Sequence, residues 1–171
     1  RMHAITTAFE ESAPGEDVAA ALRSEADAIA AEATTTEAAL ASRLEAELSP
    51  PEGRPLSLLL HGGQGSLVAG QLGATLVALG RMQAAGTELE LYLTEGRPFM
   101  DGARLASWEL RQAALEHKIV PDAAVAWLLE RKQVDAVVVR GEWVAANGDT
   151  GALLGSRGLA QQAAAAGPAG Q

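Results

Sequence analysis

Beyond Pro55 the chain alternates short apolar runs with helical patterns, and no other feature limits its fold as tightly. The runs are "LSLLLH", "ELELYL", "HKIV" and "DAVVV", and helical patterns start at Ser66, Gly102, Ala123 and about Gly151. Strands that alternate with helices make βαβ units, so the expected fold class is α/β, a parallel sheet with helices on its faces. Such sheets bind ligands at the carboxyl ends of their strands, in the crevice where strand order reverses. Here those ends are residues 61–66, 94–102, 121–122 and 140–150, which hold nearly all the suggestive polar residues.

The first 49 residues read differently. Residues 16–48 are rich in Ala, Glu and Leu, and Val18, Leu22 and Ile29 recur on one side, which predicts a helix with one buried stripe. "TTTE" offers a capping box, Thr34 with Glu37, ahead of a second helix carrying Leu40, Leu44 and Leu48. In "SPPEGRP" the prolines Pro50, Pro51 and Pro55 remove backbone donors and end the helix. The expected organisation is a helical N-terminal segment at 1–49, a linker at 50–55 and an α/β domain at 56–171. "RMHAITTAF" reads as the middle of a helix, and "AAAAGPAGQ" has no strand after it, so a longer protein is expected at both ends.

Composition narrows the function. The 171 residues suffice for one domain with a sizeable core. Thirteen Lys plus Arg against 22 Asp plus Glu leave a formal charge of −9, which repels phosphate backbones and excludes nucleic acid as a general partner. Without cysteine there is no disulfide, thiolate nucleophile or cysteine-bound metal, and only His3, His61 and His117 supply imidazole. No metal site and no cofactor are expected. Apolar stretches end well short of the roughly 18–20 residues of a membrane span, and no signal peptide is visible, so a soluble, cytoplasmic protein is expected.

The turn "HGGQGS" follows the first strand. Gly62, Gly63, Gln64, Gly65 and Ser66 can present backbone N–H groups to a phosphate, yet a strand-to-helix turn needs glycine in any case. His61 is a candidate ligand contact, although a single histidine at a strand end is more often a structural hydrogen-bonding group. Arg97, fixed before Pro98, suits a bidentate anion contact; its alternative is an ion pair with Glu95 or Asp101. Asn147 and Asp149 are candidate ligand contacts, although they flank Gly148 and such residues shape a turn in any protein. Trp108 and Trp127 sit within helices and are expected in the core, whereas Trp143 lies in a site loop beside Glu142 and can fill part of a pocket.

"LTEGRPFMDGARLASWEL" followed by "VDAVVVRGEWVAANGD" resembles the family that joins methylthioribose-1-phosphate isomerase, archaeal ribose-1,5-bisphosphate isomerase and the regulatory subunits of eukaryotic initiation factor 2B. The marks are Glu95, Arg97 and Pro98, then "GARL", then Asn147-Gly148-Asp149, together with the glycine turn. The resemblance runs from the first residue to Gly167. It implies a Rossmann-like sheet lacking its last strands behind an incomplete helical segment, a phosphorylated sugar or related small metabolite as candidate ligand, and a homodimer or partner-subunit assembly.

Departures from the isomerase pattern bear on activity. The cysteine after the turn's histidine becomes Gly62, the catalytic aspartate falls on Glu142, a glutamine becomes Asp101, and an Asn-Lys pair becomes Ala152 and Leu153. An arginine becomes Trp143. Aldose-ketose isomerisation needs a positioned acid and base, and a glycine is neither. The extra methylene of Glu142 moves its oxygens by about an ångström, a misplacement that can cost on the order of a hundredfold. The initiation factor subunits also lack the cysteine and tend to carry a glutamate in that loop. The expectation is a degenerate sugar-phosphate site used for binding or assembly. The alternatives are an active isomerase of a sugar 1-phosphate such as 5-methylthioribose 1-phosphate, built on Glu142, Asp101 and His61, and a scaffold subunit with a vestigial pocket.

Overall fold

The computed structural model describes residues 3, 6–7, 15–65 and 72–167. The chain divides into two compact units, Arg1–Leu40 and Ala41–Gln171. Helix α1 spans Gly15–Glu47 without interruption, so the break expected at "TTTE" does not occur. The Thr34 and Thr35 hydroxyls donate to the carbonyls of Ala30 and Ala31, each at 3.0 Å. Bonded one turn back, they satisfy themselves inside the helix instead of capping a new one. The buried stripe is shallower than its spacing suggests, since Val18 and Leu22 are half-buried while Ile29 and Leu40 are exposed.

The second unit carries the sheet. Its elements are β1 Leu56–His61, α2 Ala74–Ala84, β2 Leu89–Thr94, a π-helical turn Gly102–Ala106 leading into α3 Ser107–Gln112, and β3 Lys118–Val120. A 3-10 turn Asp122–Ala124 then opens α4 Val125–Glu130, followed by β4 Ala136–Val139, β5 Gly141–Val144, β6 Thr150–Ala152 and α5 Ser156–Ala166. Strands β3-β2-β1-β4 form a parallel sheet in that order, as the alternating pattern requires. The segment 50–55, proposed as a linker, contains neither helix nor strand.

Alternation along β1 builds two core layers. Leu58 and Leu60 face Leu76, Leu79 and Met82 of α2 and Leu110 of α3, joined by Leu48 just beyond α1. Leu59 points the other way, into Val125, Leu128 and Leu129 of α4 and Leu159 of α5. Every residue of β1 is buried. At about 25 cal/mol per Å² of apolar surface, such leucines contribute the main favourable term of folding.

Three expectations change. Residues 140–150, expected as a loop, fold into the antiparallel β5–β6 hairpin, so α5 begins at Ser156 and not near Gly151. The cause is the Asn147-Gly148-Asp149 turn: Gly148 has φ 88°, Asn147 Oδ1 accepts from Asp149 N at 3.1 Å, and Ala145 N bonds Asp149 O at 2.8 Å. Trp108 and Trp127 are 44% and 50% exposed and stand outside the core. Their short helices turn Leu110, Leu128 and Leu129 inward instead, and Trp127 lies under Arg131 at 5.0 Å. The start of the helical pattern at Ser66 lies outside the described residues, and α2 is described from Ala74.

At the amino ends of the strands, Asp135 ties β1 to β4. Its carboxylate accepts from Arg54 at 2.9 and 2.6 Å and from Ser57 N at 2.9 Å, while Asp135 N bonds Ser57 O at 2.8 Å. The Arg54 guanidinium, ahead of the Ser57 N–H, holds the Asp135 carboxyl below its ordinary range. A depressed folded pKa gives stability that is complete above the unfolded value and disappears as pH falls through the folded one. Asp135→Ala is expected to lose about 1–2 kcal/mol near neutral pH through the orphaned Ser57 N–H. Urea titrations should also show wild type losing stability more steeply than Asp135→Ala as the solution is acidified below the ordinary carboxylate range.

Candidate functional site

The carboxyl ends of β1 and β2 and the start of α5 enclose a cavity of about 220 Å³. His61, Thr94, Arg97, Asp122, Val125, Leu154, Gly155, Gly158, Leu159 and Gln162 line it. Of the three candidate catalytic side chains, only His61 is among them.

His61 is buried, with both ring nitrogens engaged. Nε2 lies 3.1 Å from Leu154 O and Nδ1 lies 2.8 Å from Thr94 Oγ1. A carbonyl oxygen only accepts, so Nε2 carries a proton, and in the neutral ring Nδ1 accepts from the threonine hydroxyl. The histidine therefore staples β1 to β2 and to the segment just before α5. Glu142 stands on the exposed hairpin, its Oε1 3.2 Å from Arg140 Nη1. Asp101 turns back on its own helix, accepting from Gly102 N at 3.0 Å.

Arg97 reaches the cavity while its Nε pairs with Glu95 Oε1 at 3.3 Å. Its backbone N–H donates to Asp122 Oδ2 at 2.6 Å, and Gly96 N donates to Oδ1 at 3.1 Å, so Asp122 fixes the loop from which the guanidinium projects. Asn147 and Asp149 bond each other within the hairpin turn, with Asn147 Nδ2 2.9 Å from Asp149 Oδ2. Trp143 is 61% exposed and lies against Gly151 across the hairpin.

The glycine turn is filled by the chain's own side chains. Gly62, Gly63, Gln64 and Gly65 are all buried. Gln64 Nε2 donates to His61 O at 2.8 Å and Gly62 O at 3.2 Å, holding the bend closed. The carboxylate of Glu109 on α3 accepts from Gln64 N at 3.3 Å and Gly65 N at 2.9 Å. Gly62 has φ 82°, and a Cβ there would stand 2.6 Å from Leu153 Cδ1. The leucine thus occupies the space a side chain at 62 would need. Ser66 lies outside the described residues.

Glu109, Thr94 and Asp122 do not stand out by motif. Glu109 nonetheless had a signal: it shares the helix face of Ala106, Leu110 and Ala113, and a carboxylate on an apolar face requires a buried partner.

A model of the initiation factor 2 subunit family matches residues 1–167. The chain belongs to this family. Among curated family relatives, the methylthioribose-1-phosphate isomerase of Gemmatimonas aurantiaca is 39% identical over 146 residues, covering 85% of this chain and 41% of that protein. That of Chloroflexus aurantiacus is 36% identical over 140 residues, covering 82% and 39%. The 5-methylthioribose 1-phosphate isomerase of Pyrococcus horikoshii OT3 superposes with TM-score 0.79 at 31% identity, over 97% of this chain and 46% of that one. The delta subunit of translation initiation factor eIF-2B from A. fulgidus shares the fold at TM-score 0.71 and 20% identity, over 95% and 46%. The chain spans about two fifths of the length of these curated family relatives. No described helix is long and apolar enough to cross a membrane.

Gly62→Ala should destabilise this family member twice over, through its positive φ, worth about 1–2 kcal/mol, and through the contact with Leu153. Leu153→Ala in the same chain should recover the second part only. A double-mutant cycle by chemical denaturation is expected to give a coupling of about 0.5–3 kcal/mol.

Proposed function

We propose that the chain is a non-catalytic member of its family, acting by binding a phosphorylated sugar or related small metabolite or by assembling with itself or a partner subunit. The supporting observation is the leucine over the turn: Gly62 supplies no acid, base or nucleophile, and Leu153 closes the space where one would project. Isomerisation needs an acid and a base at adjacent carbons. Glu142 is engaged by Arg140, Asp101 by Gly102 N, and His61 by Thr94 and Leu154. On this reading a bound metabolite sits in the cavity that Arg97 reaches, with Asn147 and Asp149 keeping the hairpin's shape.

The identity to methylthioribose-1-phosphate isomerases favours a second reading, in which turnover survives with Glu142 as the base. Phosphorus NMR of the full-length protein with 5-methylthioribose 1-phosphate separates the two. No product resonance is expected, with line broadening if the metabolite binds and unchanged lines if the protein acts by assembly. A product resonance that disappears in Glu142→Gln would overturn the non-catalytic reading.

A further inference from the structure

The glycine turn already contains an anion. Two successive N–H groups, of Gln64 and Gly65, converge on one oxygen of Glu109, at 3.3 and 2.9 Å. Consecutive backbone N–H groups aimed at one point make an anion-binding nest. Glu109, whose side chain fills it, is 3% exposed. At Gly65, a Cβ would lie 2.7 Å from Glu109 Cδ and 2.8 Å from Leu76 Cδ1. Glycine at 65 is therefore what lets a carboxylate, carried in on α3, reach the backbone.

We propose that this turn is a carboxylate site whose resident ligand is the Glu109 side chain, and that vacating it leaves a site for a small carboxylate of formate or acetate size. The glycines that invite a phosphate reading serve an internal ligand instead. Access and size both support this: residues 62–65 are buried, and truncating Glu109 to alanine removes a planar carboxylate with one methylene, the size of acetate. A tetrahedral phosphate needs more room and has to displace a group tethered to α3. Any metabolite therefore meets the protein elsewhere, and the inference holds whether or not the chain turns over a substrate.

Glu109→Ala in the full chain tests it. Its melting temperature should fall, and acetate or formate should raise it again, more than chloride at equal ionic strength, with no such response in wild type. Normal stability in Glu109→Ala, or a folded variant indifferent to acetate and formate, would overturn the proposal. If the alanine variant does not fold, Glu109→Gln keeps the shape and removes the charge. The amide proton resonances of Gln64 and Gly65 should then move upfield from wild type, and unchanged resonances would count against the carboxylate. In wild type, inorganic phosphate should leave both resonances in place. A saturating shift would show that the nest is open to external anions and would sink the assignment, separately from any result on turnover.

Discussion

Strand β1 carries the structure. It pairs with β2 on one edge and β4 on the other, and its leucines fill the cores on both faces. A strand enclosed on all four sides has no freedom to slide, because a one-residue slip would exchange Leu58 and Leu60 with Leu59. Its carboxyl end is consequently a fixed point, and His61 with the turn behind it is delivered there. The Arg54–Asp135–Ser57 contacts secure the opposite end of the same strand, so both ends of the site's main support are held.

From that fixed point the turn is completed by groups far along the chain. Glu109 arrives on α3, and Leu153 and the Leu154 carbonyl, which meets His61, come from the segment between the hairpin and α5. Each removes something a ligand would use: N–H donors, open space, or a ring nitrogen. What remains open is the cavity beside them, walled by Val125, Leu154 and Leu159 and reached by Arg97. The guanidinium there pairs with Glu95, and the Asp122 carboxylate holds the backbone of the same loop. Such a surround lowers the net positive field a phosphate would feel at Arg97.

Much of the architecture was legible because periodicity is local. "LSLLLH" and "ELELYL" read as buried strands between helical patterns, and the parallel sheet followed. "TTTE" misled because a threonine hydroxyl can either cap a new helix or bond back into the one it belongs to. Trp108 and Trp127 misled because a six-residue helix has few inward positions, and leucines took them. Residues 140–150 hold polar groups suited to a site loop, yet their Asn-Gly-Asp turn is equally a hairpin signal.

The amino-acid sequence by itself determined the fold class, the positions of the strand ends and a glycine at 62, which carries no side chain. Side-chain alternation and residue identity need no third dimension. Only the tertiary structure decided what the glycines accommodate. Gly62 faces Leu153, and Gly65 faces Glu109, across separations of 91 and 44 residues along the chain. Whether a backbone N–H meets a solute or a side chain depends on which distant group folding brings to it, and pairing at that distance leaves no periodic trace.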